Sequence, residues 1–154
     1  MRTYTYDTKL SWTGQLQGTA EVADKPILNL SAPTEFKGTK GAWTPEDLLT
    51  EALESCLMMT YMHLCQDEGF AVTSYTSKAR AVVAKGPRGF EFSRIEVYPD
   101  VEVPQDAERA AKILDRAHEL CLVRRSLACA VEIFPAVRER AADGHCLSRA
   151  ATKS

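Results

Sequence analysis

Five cysteines, Cys56, Cys65, Cys121, Cys129 and Cys146, are the residues of this chain best able to do chemistry beyond packing. A thiolate is a nucleophile, a metal ligand and a redox centre, whereas a neutral buried thiol is an inert small hydrophobe. No two of the five form a Cys-x-x-Cys pair or a paired zinc spacing, so neither a structural zinc nor any other cofactor is expected. Cys56 lies in ALESCLMMTYMHL, among mostly apolar neighbours. On a helix, Met59, Thr60 and His63 share its side. Thr60 could donate to a thiolate there, although a mid-helix threonine ordinarily bonds its own helix carbonyls. His63 reads as a core or rim histidine rather than a base. Cys65, nine positions on, points nearly the opposite way, which excludes a metal site built from Cys56, His63 and Cys65 on one helix. A mid-helix thiol gains nothing from its own helix N-terminus, so as a thiolate it needs a cation from elsewhere. Cys121, in AHELCLVRRSLAC, is followed by Arg124 and Arg125. Two arginines there could depress its pKa, or that of a thiol packed against it; the bland alternative is two solvated side chains.

These residues need elements to hold them. Tyr4, Tyr6, Thr8, Leu10 and Trp12 alternate with polar residues, the pattern of a half-buried strand. Turn signals at Thr13-Gly14 and Gln17-Gly18 suggest a return over Thr19–Val22, with a third short strand at Pro26–Leu30. A Gly-, Thr- and Lys-rich loop follows. Thr44-Pro45-Glu46-Asp47 is a helix start, with a capping threonine, a proline at the first helical position and two acids at the positive end of the dipole. Thr44 and Asp47 approximate a capping box. The helix is expected to run to about Asp67, stop at Gly69 and be central and mostly buried. Phe70–Lys85 and Phe90–Val103 read as a long hairpin about the turn Lys85–Gly89, with a phase slip between Phe92 and Ile95 that predicts a bulge. Pro104–Leu120 is a second helix, with Ala107, Ala110, Ala111, Leu114, Ala117 and Cys121 on its apolar stripe, and Ala128–Val137 is a last strand. The order predicts an α+β fold of antiparallel sheet and two helices. One domain is expected over residues 1–137, with a polar tail over residues 138–154.

The chain has 154 residues, 45% of them apolar and 26% charged, and a formal net charge of -2. That length buries a core without metal or disulfide staples. The balance excludes a general nucleic-acid or anionic-membrane binder, which needs a basic surface. The N-terminus has no apolar run of the secretory kind, and no stretch approaches a membrane span. The expected compartment is the cytosol, where thiols stay reduced.

Read together, two segments resemble the OsmC/Ohr family of cysteine-dependent peroxide reductases. GTKGAWTPEDLLTEALESC is similar to the family signature of a Gly-rich loop, a Pro-Glu helix start and a cysteine ten positions after that glutamate. AHELCLVRRSL is similar to the second-cysteine segment, whose core is Cys-Pro-Val-Ser. The resemblance covers about residues 3–136. It implies antiparallel sheets wrapped around two central helices in an intertwined homodimer, with sites at the subunit interface. It implies that Cys56 is the peroxidatic cysteine, oxidised by an organic hydroperoxide or hydrogen peroxide to a sulfenic acid. Cys121 is then the resolving cysteine that forms a disulfide, which an external thiol or dithiol reduces. Glu46 matches the family glutamate that orients a catalytic arginine. That arginine is absent from both places the family carries it, which here read Glu35-Phe36 and Gly14-Gln15-Leu16-Gln17-Gly18, and Leu122 and Arg124 replace the usual proline and serine. Arg124 or Arg125, or else Lys37 or Lys40, is the expected replacement cation. A non-enzymatic relative that binds a small hydrophobic ligand at the dimer-interface pocket is the alternative.

Overall fold

The computed structural model describes residues 2–140. A first antiparallel sheet has the order β1 (Lys9–Gly14), β2 (Gln17–Glu21) and β3 (Leu28–Ser31). The strand expected from Tyr4 begins only at Lys9. Tyr6 is 89% exposed and Trp12 78% exposed, so the alternation at the N-terminus has no covering surface in the single chain. The loop after β3 folds back on itself through a 3-10 turn, Thr34–Phe36. Gly38 is obligatory in that loop, because a Cβ would lie 1.5 Å from the Ala32 carbonyl oxygen.

Helix α1 (Pro45–Asp67) starts and stops as its end residues predict. The Asp47 N–H donates to Thr44 Oγ1 at 3.1 Å, and the Thr44 N–H donates to Asp47 Oδ2 at 3.0 Å. Gly69 takes φ +61 just past the end, a conformation that costs glycine nothing. The expectation of a mostly buried helix holds for one side only. Leu53, Leu57, Tyr61, Leu64 and Cys65 are buried, while Met59 is 62% exposed.

The hairpin of β4 (Ser74–Gly86) and β5 (Gly89–Val103) forms the spine of the second sheet. The expected bulge is present: Val82 pairs with Arg94 and Val83 with Phe92, which leaves Ser93 unpaired. Phe70 and Val72, expected in the strand, precede it as irregular chain packed against the core. Helix α2 (Ala107–Leu120) begins later than expected, because the Asp106 side chain accepts from the Arg109 N–H and caps it there. A five-residue helix α3 (Leu122–Ser126) follows. The single last strand expected over Ala128–Val137 is two, β6 (Ala130–Ile133) and β7 (Ala136–Glu139), with Phe134-Pro135 between them. Proline has no N–H to donate to a ladder, which accounts for the break.

Both β6 and β7 run parallel to β5, so this sheet is mixed rather than antiparallel. Helices α2 and α3 form the crossover that parallel pairing requires. The buried core joins α1 to Ile95, Val97, Val101 and Val103 of β5 and to Ala110, Ile113, Leu114 and Ala117 of α2. Strand β7 reaches Glu139, so the second sheet extends past the boundary expected at residue 137. Residues 141–154 of the expected tail, Cys146 included, lie outside the described residues. Among the described residues no helix is long and apolar enough to cross a membrane.

Candidate active site

Cys56 sits at mid-length on the half-covered α1, and Cys121 occupies the joint between α2 and α3. At φ -56 and ψ 117 Cys121 leaves the helical region, so the chain changes direction there and helix formation restarts at Leu122. The Arg125 N–H donates to the Cys121 carbonyl at 3.0 Å and closes the first turn of α3. The first N–H groups of a helix lack an internal acceptor. Here those of Leu122 and Val123 are directed at the Cys56 sulfur.

The two thiols are neighbours, and each acts on the acidity of the other. Cys121 is fully buried, and Cys56 is partly exposed. Burial pushes the Cys56 thiol up. The Val123 N–H, the Cys121 thiol, the Leu122 N–H and the Thr60 hydroxyl together outweigh that cost, and its pKa lies below the ordinary cysteine value. Cys121 moves the other way, through burial and through its neighbour Cys56, despite the N–H groups of Arg124 and Val123. The two shifts run in opposite directions, so the Cys56 thiol ionises before the Cys121 thiol.

The sequence reasoning looked for a cation beside Cys56 and missed the backbone donors. The main groups that act on this thiol are N–H groups and neighbouring side chains, and neither Arg124 nor Arg125 is among them. The two arginines border a groove with Leu127, Cys129 and Glu132. The charge of Arg124 falls on His118, whose pKa is lowered first by burial and then by that charge. A signal for the donors did exist, since any helix that restarts after Cys121 leaves free N–H groups at Leu122 and Val123.

Glu46, in the first turn of α1, is remote from Cys56 on the same helix, about 15 Å along a straight axis. Its Oε2 is enclosed and has no hydrogen-bond partner among the described residues. It borders a cavity of about 630 Å³ shared with Lys40, Val83, Phe36 and Phe90, the last two in edge-to-face contact at 5.3 Å. Of the four basic residues considered as replacement cations, Lys40 is the one that lines this cavity. His63 is exposed, with Nε2 3.5 Å from Asp67 Oδ2, in keeping with a rim histidine. Cys65 is buried against Tyr61 and does not join the pair. Among the described residues no group of three His, Cys, Asp or Glu side chains is placed to hold a metal ion.

This fold is that of a known class. The family model for OsmC-like protein matches residues 38–134, and the chain belongs to that family. A curated relative, the peroxiredoxin OsmC of Escherichia coli, is 32% identical over 95 residues. That match spans 61% of this chain and 66% of the relative, just under two thirds of its length. Among solved structures, an OsmC-like protein of unknown function from Vibrio cholerae superposes with a TM-score of 0.79 at 18% identity, over 87% of this chain and 100% of that one. An organic hydroperoxide resistance protein OsmC from Legionella pneumophila gives 0.72 at 20% identity, over 88% of this chain and 97% of that one.

Proposed function

We propose that this protein is a thiol-dependent peroxidase that reduces organic hydroperoxides, and hydrogen peroxide less well, by a two-cysteine cycle. The observation that carries this reading is the neighbouring pair of Cys56 and Cys121, with the more exposed thiol the more acidic. In the first step the Cys56 thiolate attacks one peroxide oxygen and the O–O bond breaks. The other oxygen leaves with its alkyl group and takes up a proton as the alcohol, and Cys56 becomes a sulfenic acid. In the second step the Cys121 sulfur attacks the Cys56 sulfur; hydroxide leaves with the Cys121 proton as water, and a disulfide remains. An external dithiol restores both thiols and becomes the disulfide itself. The names of the Escherichia coli and Legionella pneumophila relatives, a peroxiredoxin and a hydroperoxide resistance protein, support the same chemistry. The proposed setting is the cytosol, as part of the defence against oxidative stress.

The working unit in this reading is a homodimer. Leu10, Trp12, Met59 and Leu122 are each more than half exposed in the single chain, a surface that a second copy would cover. Glu46 is too far along α1 to serve its own Cys56, so its cavity serves the cysteine pair of the partner. The apolar walls from Phe36, Val83 and Phe90 then hold the hydrocarbon tail of the peroxide, and Lys40 supplies the cation beside Glu46. Sedimentation at micromolar concentration is expected to give a single species of twice the chain mass, and a monomer would remove this arrangement.

The same cavity also suits the second reading, a non-enzymatic protein that binds a small hydrophobic ligand. One assay separates the two. Peroxide consumption with a dithiol reductant is expected to be catalytic in protein and faster with cumene hydroperoxide than with hydrogen peroxide. Consumption no faster than with free dithiol alone would leave the binding protein as the better account.

A further inference from the structure

Arg94, Arg109, Arg116 and Arg138 are each paired with a carboxylate. Arg124 and Arg125, in the last turn of α3, make no ion pair among the described residues. Both border a groove of about 620 Å³ between α3 and the start of β6, a volume within the range of about 300–1,000 Å³ usual for small-molecule sites. Cys129 and Glu132 line the same groove. Cys129 is a partly buried thiol immediately before β6, and pairing of Ala130 with Arg94 of β5 fixes the backbone beside it. One groove therefore gathers a thiol, two guanidinium groups and a carboxylate, none of them part of the Cys56 and Cys121 site. A guanidinium recognises a carboxylate through two parallel N–H donors. Two guanidinium groups and one carboxylate complement a molecule with two carboxylates and one ammonium. Glu132 opposes a purely anionic ligand, and the two arginines oppose a cationic one. A thiol in the groove adds covalent capture as a mixed disulfide.

We propose that this groove binds a small peptide thiol with two carboxylates and one ammonium, the charge pattern of glutathione, and that Cys129 forms a mixed disulfide with it. Arg124 and Arg125 hold the two carboxylates, and Glu132 takes the ammonium. The Cys129 thiolate attacks one sulfur of the ligand's disulfide form. That S–S bond breaks as the new one forms, and the other half leaves as a thiolate that takes up a proton. The disulfide is itself the oxidant, so the step needs no other electron acceptor. Attack by a second thiol on the mixed disulfide reverses it. Neither Cys56 nor Cys121 takes part, so the site stands apart from the peroxidase reading.

The test uses Cys56→Ser protein, in which no disulfide between Cys56 and Cys121 can form. It is exposed to glutathione disulfide or to uncharged hydroxyethyl disulfide, and the mixed disulfide at Cys129 is followed by peptide mass spectrometry. Each rate is divided by that disulfide's rate with free 2-mercaptoethanol. Cys129 is expected to favour glutathione disulfide by about tenfold, from two partly exposed guanidinium–carboxylate pairs. The preference is expected to shrink as salt is added. In the Arg124→Gln/Arg125→Gln double variant it is expected to fall to within about twofold. S-methylglutathione, which cannot exchange, supplies a second measurement. It is expected to slow alkylation of Cys129 by iodoacetamide with the arginines present and not in the double variant. Equal normalised rates with the two disulfides overturn the proposal, as does a preference that survives the double substitution. Failure of Cys129 to form the mixed disulfide overturns it too. Should the double variant fail to fold, the probe comparison, the salt series and the protection by S-methylglutathione decide the question without it. The exchange needs no peroxide, so a parent inactive as a peroxidase sinks the proposed function and leaves this test intact.

Discussion

Replacement of Cys56 by serine is expected to bring peroxide consumption down to the uncatalysed rate, while replacement of Cys121 by serine leaves the first turnover intact and halts the protein as a sulfenic acid. A serine hydroxyl remains protonated at neutral pH and cannot accept the peroxide oxygen as a thiolate does. In the Cys121→Ser variant the first step is unaffected in kind, but no thiol stands beside the oxidised sulfur. With one equivalent of peroxide and no added thiol, the variant is expected to label with dimedone at Cys56. The parent is expected to end as a disulfide and not to label. Because Cys121 is fully buried, the comparison includes a thermal melt to establish that the variant is folded. Parent-like activity in Cys56→Ser would remove Cys56 from the mechanism. A Cys121→Ser variant that still closes a disulfide would hand the resolving role to another thiol, with Cys129 the first to examine. The pH dependence has a definite sign. Cys56 is an acid with a depressed pKa, so its reactivity is present above that value and is lost as pH falls through it.

Oxidation by limited peroxide is expected to stabilise the protein substantially. A bond between Cys56 and Cys121 closes a loop of roughly 65 residues, for which unfolded-chain entropy gives about 4 kcal/mol. For a chain of this length that corresponds to a rise in melting temperature on the order of 10 °C. Some of the gain is offset, because oxidation removes the thiolate and the hydrogen bonds that the Leu122 and Val123 N–H groups make to it. The measurement is a pair of melts, one after stoichiometric cumene hydroperoxide and one after subsequent reduction with a dithiol. Non-reducing electrophoresis establishes that the bond lies within one chain. A rise that the dithiol reverses supports the cycle. No rise, or a fall, with the disulfide demonstrably formed would mean that its closure strains α1 against the joint at Cys121, and that the pair is not poised for reversible oxidation.

The elements written in local chemistry were legible from the residues. Thr44, Pro45 and Asp47 set the start of α1, and Gly69 set its end, because capping and a left-handed residue are settled within a turn or two of chain. The bulge in β5 was legible for the same reason, since a slip in alternation between Phe92 and Ile95 is a property of adjacent residues. The expected covering of the N-terminal alternation was not found in the single chain. Periodicity tells which residues need a neighbour and not where that neighbour comes from.

The sequence by itself also determined which cysteines to compare, through the two segments around Cys56 and Cys121. Only the tertiary structure decided how the Cys56 thiol is made acidic. Its donors, the N–H groups of Leu122 and Val123, come from a chain segment more than a third of the sequence away. They are free because the helix breaks at Cys121 and restarts. Arg124 and Arg125, close to Cys121 in sequence, look from local spacing like the natural source of positive charge. Restarting at Leu122, α3 turns its N–H groups to the sulfur, while the two arginines border a groove with Cys129 and Glu132. Glu46 is the converse case. Its place at the helix start was plain, yet its enclosed oxygen and its distance from Cys56 depend on the loop and hairpin that pack around it. Capping, turns and alternation are energies of neighbouring residues, so a sequence displays them. Thiol acidity is an energy of contacts between remote segments, and packing alone sets which groups meet.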